Sequence, residues 1–329
     1  MIQTVNFPIS SYSIQQYGSW ETLRKKIYAL GLDGIEAIND PYDSVPDFPD
    51  DLAAGYHMTF YVDWVDFWRQ DEEKLLRKFG SWEMIGKVYG GKTPEDLLRH
   101  FRDDLAVGQR LKAPYMVFHV SDVSLEEGYT YRWLHTDVEV LDASIEFINH
   151  LLWKVEPTFD FLIENQWWPG FRFTDPKLTE YILSRIEYPR VGIMLDTGHL
   201  MNANTKITTQ ADGIAWIMKN IAEHGELSRR IYGLHFHQSV SGAYVRKHTG
   251  SIPPEFTDDY FTNFGVNYSH ILQIDRHLPW TDPNCVRILD AVQPKYLTHE
   301  LSSGPKRPQL AAVKRQLGTI RKGYERRRP

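Results

Sequence analysis

The segment Leu195-Asp196-Thr197-Gly198-His199 sets a carboxylate three residues before an imidazole, and Gly198 between them could turn both side chains onto one metal ion. Asp275-Arg276-His277 repeats the pairing two residues apart. His57, His119, Glu164, His235 and Glu300 each close a short apolar run, and Glu36 sits near the end of another. A charged or imidazole group at the end of a buried run is costly unless it is paired or holds a metal. Together, His57, His119, His199, His235, His277, Glu164, Asp196, Asp275 and Glu300 make a mixed nitrogen and oxygen donor set that suits Zn2+, Mn2+, Fe2+ or Co2+ better than Ca2+. Nine donors exceed the needs of one ion, so two or three ions are expected. Cys285 is the single cysteine, which excludes a disulfide framework and any thiolate-built metal site.

Other residues near these donors could touch a substrate. Trp167-Trp168-Pro169-Gly170 follows Glu164, and Trp64 and Trp68 stand four apart. Their rings could stack on a sugar face or a nucleobase, or simply pack beneath a loop. His237, two residues past His235, shares its strand face and could contact substrate or replace His235 as a ligand. Arg276 lies between two candidate donors and is a further candidate contact.

The elements that must position these groups alternate in type. Apolar runs at Ile2–Phe7, Gly34–Ile38, Gly55–Tyr61, Tyr115–Val120, Phe159–Asn165, Val191–Asp196, Ile231–Phe236 and Tyr296–Glu300 read as strands. Between them come helical periodicities, such as Trp20, Leu23, Ile27 and Leu30 closed by Gly31. Another is Leu97, Phe101, Leu105 and Leu111 behind Thr93-Pro94, and a third is Val138, Leu141, Ile145, Ile148 and Leu152. Asp175-Pro176 and Asp282-Pro283 read as further helix starts. Such alternation predicts parallel strands joined by right-handed crossovers, and eight units fit a closed (β/α)8 barrel spanning residues 1–329 as one domain. A doubly wound open sheet is the runner-up, weakened by the lack of a G-x-G-x-x-G turn after the first strand. Insertions at about 62–94 and 239–277 are long enough to be lids or binding segments.

At 329 residues with 42% hydrophobic side chains, the chain has the composition of a folded globular protein. Its formal charge of -6 offers no broad basic face for nucleic acid. The segment from about 306 to 329 is locally basic and is expected as a solvated tail on the side away from the catalytic mouth. No apolar run approaches the ~18–20 residues of a membrane span, and no signal peptide opens the chain, so a cytoplasmic protein is expected.

The donor positions resemble the xylose isomerase-like TIM-barrel superfamily, most tellingly at Ile163-Glu164-Asn165, Leu195-Asp196-Thr197-Gly198-His199, Gly233-Leu234-His235 and the Glu300 strand. The resemblance runs over roughly Ile2 to Ser302. Its sugar isomerase and epimerase branch implies one ion at Glu164, Asp196, His235 and Glu300, with Glu164 and Glu300 moving protons. The endonuclease IV branch implies three ions, bringing in His57, His119, His199, Asp275 and His277. The interval from His235 to Asp275 is longer than in the endonuclease IV pattern, and Gln238 stands where an Asp often follows the seventh strand.

The leading expectation is an isomerase or epimerase dependent on Zn2+ or Mn2+ that acts on a small sugar or sugar phosphate through an enediolate. The alternative is an endonuclease IV-type phosphodiesterase cutting abasic DNA with a two- or three-ion zinc cluster. A non-catalytic metal-binding or carbohydrate-binding barrel is the third reading. No membrane partner is expected under any of them.

Overall fold

Strands buried on both faces favour continuous β-branched and aromatic runs, and eight such runs close into a parallel barrel. They are β1 (Ile2–Ile9), β2 (Gly34–Asn39), β3 (Ala53–His57), β4 (Tyr115–His119), β5 (Asp160–Glu164), β6 (Val191–Asp196), β7 (Ile231–His235) and β8 (Tyr296–His299). Each pairs with the next, and β8 returns to β1. The computed structural model describes residues 1–40, 43, 47–302 and 308–327. All eight expected strands form; β3 begins earlier and ends at His57 instead of Tyr61.

The outer layer consists of α1 (Trp20–Ala29), α2 (Pro94–Arg110), α3 (Asp137–Leu151), α4 (Pro176–Leu183), α5 (Gln210–His224), α6 (Val286–Val292) and α7 (Gln309–Glu325). α1 buries Trp20, Leu23 and Ile27 and stops where Gly31 turns to φ +79. Thr93 and Asp96 form a reciprocal capping box at the start of α2, and Asp175-Pro176 opens α4. Asp282-Pro283 starts only a 3-10 turn, ahead of α6. The face of α3 is rotated from expectation: it buries Val140, Leu141, Ser144, Phe147, Ile148 and Leu151, and leaves Val138 exposed.

The basic C-terminal segment carries α7, and this helix is pinned to the barrel. Buried Gln316 accepts from Trp280 N at 2.7 Å and donates to the Phe236 carbonyl, also at 2.7 Å. Lys306, Arg307 and Arg328 of that segment lie outside the described residues. No helix among the described residues is long and apolar enough to cross a membrane.

Inside the barrel, Tyr115, Val117, Leu162, Met194 and Tyr296 form an apolar cluster. Above it lies a polar layer in which Glu36 accepts hydrogen bonds from Tyr115 Oη and Thr298 Oγ1, each at 2.8 Å. Gly55 makes room for that tyrosine, since a Cβ there would lie 2.2 Å from Tyr115 Cζ. The first insertion holds the short helices Val65–Trp68, Glu72–Phe79 and Trp82–Tyr89, and the second holds Gly242–His248 and Tyr260–Ile274.

Candidate metal centre

Strand register brings the donors to one end of the barrel. His119 of β4 lies level with Glu164 of β5, and Asp196 of β6 with His235 of β7. His235 is in turn level with Thr298 of β8, which puts Glu300 just beyond. Asp196 also caps the helix Thr197–Asn202, accepting from His199 N at 2.5 Å, and this turn carries His199 to the same centre. Gly198 contributes space to that turn: it lies within the helix, and a Cβ there would lie 2.0 Å from His237 Cε1. The second insertion returns Asp275 and His277 to the mouth. His277 holds the uncommon φ of 42°, and its carbonyl accepts from Ser302 N at 3.1 Å.

The nine predicted donors, with His237, fall into three groups, two of which share Glu164. The first comprises His57, His119 and Glu164. Here His57 Nε2 and His119 Nε2 lie 3.2 and 3.1 Å from Glu164 Oε2 and 3.1 Å from each other. The second comprises Glu164, Asp196, His235 and Glu300, with His235 Nδ1 at 3.3 Å from Glu164 Oε1 and 3.1 Å from Glu300 Oε2. The third comprises His199, His237, Asp275 and His277, in which Asp275 Oδ2 is 3.1 Å from His199 Nε2 and in close contact with His277 Nε2. Donors bound at about 2.0–2.1 Å in tetrahedral or octahedral geometry stand about 2.8–3.4 Å apart, so spacings of 3.1–3.3 Å fit divalent ions.

Two further observations agree with that fit. Glu164 Oε1, His235 Nδ1, Glu300 Oε2 and Asp275 Oδ1 are buried without a hydrogen-bond partner among the described residues, a costly state that an ion would relieve. The outward nitrogens of the imidazoles are tied down: His57 Nδ1 lies 2.8 Å from the Met58 carbonyl, His199 Nδ1 3.0 Å from the Asn165 carbonyl, and His235 Nε2 3.2 Å from Glu36 Oε2. Such partners hold the ring and leave the inner nitrogen free to ligate.

Charge in the centre is strongly mutual. Burial alone would raise the Glu164 carboxyl, but the His119 and His235 rings outweigh it and hold Glu164 well below the usual carboxylate range. Burial alone would lower His235, but Glu36, Glu300 and Glu164 outweigh it and hold the imidazole well above its usual value.

The cleft above the donors has a volume of about 450 Å³. Trp167 and Trp168 line it, with the Trp167 ring 5.1 Å from His199. Trp64 does not line it: its Nε1 donates to the Ser121 carbonyl at 2.9 Å, and its ring packs on Phe147 beneath the loop. Arg276 is exposed and does not line the cleft either. His237, read from the sequence as a substrate contact or a substitute for His235 as ligand, lies beside His199, Asp275 and His277 in the third group, with Nε2 2.8 Å from Asp196 Oδ2. Sequence reasoning left Glu36 out of the donor set, although its place near the end of β2 was a signal.

The family model of the xylose isomerase-like TIM barrel matches residues 25–321. Among solved structures, the chain is similar to L-ribulose 3-epimerase at 11% identity, covering 99% of this chain and 95% of that one, with a TM-score of 0.53. It is also similar to the IOLI protein with a bound zinc atom, at 13% identity, 98% and 96% coverage and a TM-score of 0.51. Endonuclease IV from Thermus thermophilus aligns at 12% identity, 98% and 100% coverage and a TM-score of 0.47. At these identities the likeness is one of fold. No curated protein sequence matches the chain.

Proposed function

The chain belongs to the xylose isomerase-like TIM barrel family, and from that premise we propose that it hydrolyses a phosphoester with up to three divalent ions held by its nine predicted donors and His237. One observation carries this reading: the two oxygens of Glu164 face different donor groups, Oε2 towards His57 and His119 and the unpartnered Oε1 towards His235. A carboxylate so placed would bridge two ions, one on each oxygen. So engaged, it would have no oxygen left to shuttle a proton to and from carbon, the task that an epimerase would give it.

Ions bound in these groups would supply an acidified water and neutralise charge on a phosphoryl group during in-line attack. In the overall reaction, water adds its oxygen to phosphorus, the ester P–O bond breaks, and the departing alcohol takes up a proton. The chain holds the ligands rigid from behind through Glu36 and the Met58 and Asn165 carbonyls, and Trp167 and Trp168 wall the cleft against bulk solvent.

The second reading is the sugar isomerase or epimerase. It is favoured by the convergence of Glu164 and Glu300, from the well-separated strands β5 and β8, on one donor group. Elemental mass spectrometry of the purified protein tests between the two. Near three zinc or manganese ions per chain, with phosphoester turnover, is the expected result. A single ion with turnover of a keto sugar would overturn the hydrolase. Full metal loading without turnover of either substrate class would favour a binding barrel.

A further inference from the structure

The described residues lining the cleft above the metal groups include neither lysine nor arginine. The groups that bind ions form its floor, and the walls are largely apolar. Phe60 stands on one side, 51% exposed, with its ring stacked at 4.3 Å on His119. Phe264, Tyr268 and Leu272 stand on the other, 43%, 56% and 50% exposed, at successive i, i+4 positions of the insertion helix Tyr260–Ile274. That helix buries Asn267, His270 and Ile274 instead.

The helix is held in place. His270 stacks on Tyr129 at 4.0 Å, and Gly128 lets Asn267 approach so closely that a Cβ on the glycine would meet its Oδ1 at 2.6 Å. The rings of Phe264 and Tyr268 lie within 5° of parallel. The apolar stripe is thus preformed and lines the same cleft as the donor groups.

Resting on the hydrolase reading, we infer that the substrate is a small phosphoester with one phosphoryl group on the ions and an apolar, ring-bearing body against Phe60, Phe264, Tyr268 and Leu272. A polynucleotide would bring several phosphates to a mouth whose described lining residues include no lysine or arginine to meet those beyond the ions. A polar sugar phosphate would leave the stripe in water. The cleft volume of about 450 Å³ is that of a small-molecule pocket, whose usual range is about 300–1,000 Å³.

The test is calorimetric titration of the metal-loaded protein with phenylphosphonate and with methylphosphonate, which share a headgroup and cannot be hydrolysed. Phenylphosphonate is expected to bind about 10–100-fold tighter, from the apolar area it buries. The triple variant Phe264→Ala, Tyr268→Ala, Leu272→Ala should bring the ratio towards one with metal content unchanged. Equal affinities in the wild type would overturn the apolar-body inference and leave the hydrolase standing. Failure to bind either phosphonate would overturn both. Sedimentation of the same two proteins supplies the remaining arm. A wild-type dimer that the triple variant converts to monomer would mean that a second copy covers the stripe, which also overturns the inference.

Discussion

Glu36 Oε1 lies 3.0 Å from His235 Nε2, on the side of the ring away from Nδ1, the nitrogen that faces Glu164 and Glu300. With an ion at Nδ1, this carboxylate would accept the hydrogen bond from the proton that remains on Nε2 and so orient the ring, and it is itself held by Tyr115 and Thr298 from the layer below. Replacing Glu36 with Gln keeps the shape and removes the charge. Metal affinity should fall about 10–100-fold, as for other partners behind a metal-bound histidine. Competition with a chromophoric chelator would measure it, and unchanged affinity would remove Glu36 from the centre.

Glu164→Gln and His277→Ala should differ in how many ions they cost. The first removes the bridge shared by two donor groups and should release about two ions per chain, whereas the second touches one group and should release about one. Elemental analysis of both variants after dialysis checks this. Equal losses would mean that Glu164 does not bridge.

Gly198→Ala tests the space left for His237. The added methyl would meet the imidazole at 2.0 Å, and overpacking of this kind costs roughly 1–3 kcal/mol. A lowered thermal midpoint, together with loss of the ion held by His199, His237, Asp275 and His277, is expected. A variant with wild-type stability and metal content would place His237 elsewhere.

Beneath the first insertion, buried Lys78 Nζ lies 2.6 Å from Asp63 Oδ1 and 2.7 Å from Asp66 Oδ2, and His135 Nε2 lies 3.1 Å from Asp66 Oδ1. Lys78→Met strips the cation from these carboxylates and should cost about 3–5 kcal/mol by chemical denaturation. A loss below about 1 kcal/mol, the scale of an exposed pair, would show that the cluster is open to water.

Asp63 in that cluster also predicts a pH dependence. Burial lifts its carboxyl to about 7, against the opposing charge of Lys78, whereas an unfolded Asp titrates near 3.9. The folded protein keeps a proton that the unfolded chain releases, so this contribution is full below about pH 4 and is lost as pH rises through about 7. Thermal midpoints from pH 5 to 8.5 should therefore fall more steeply for the wild type than for Asp63→Asn. Parallel curves would refute the assignment.

The strands and six of the candidate donors, His57, His119, Glu164, Asp196, His235 and Glu300, are legible in the sequence because parallel strands read as apolar runs and a polar residue closing such a run stands out; His199, Asp275 and His277 are legible only from the pairing of an acid with a nearby imidazole. Glu36 is harder to place. Its strand runs on to Asn39, so it points into a lower interior layer, and strand-end position alone does not distinguish a ligand from the group behind it. His237 is ambiguous for a different reason: two histidines two apart on one strand face look alike, and only the turn at Gly198 decides which group each joins. The cleft wall is the least legible feature. Phe264, Tyr268 and Leu272 repeat at the spacing of a core-facing stripe, yet the helix buries polar Asn267 and His270 in their place.

The insertion helix ends at Ile274, and the next residues are Asp275 and His277. The peptide that shapes the wall is thus continuous with the peptide that presents two donors. Ser239 Oγ ties this junction to the chain after β7, contacting the Ile274 carbonyl and accepting from Arg276 N. On the proposed reading, selectivity and coordination would be inherited as one cassette: a lineage that rewrote this insertion to accept a different body would have to reinstall two of the four donors of one metal group in the same stroke.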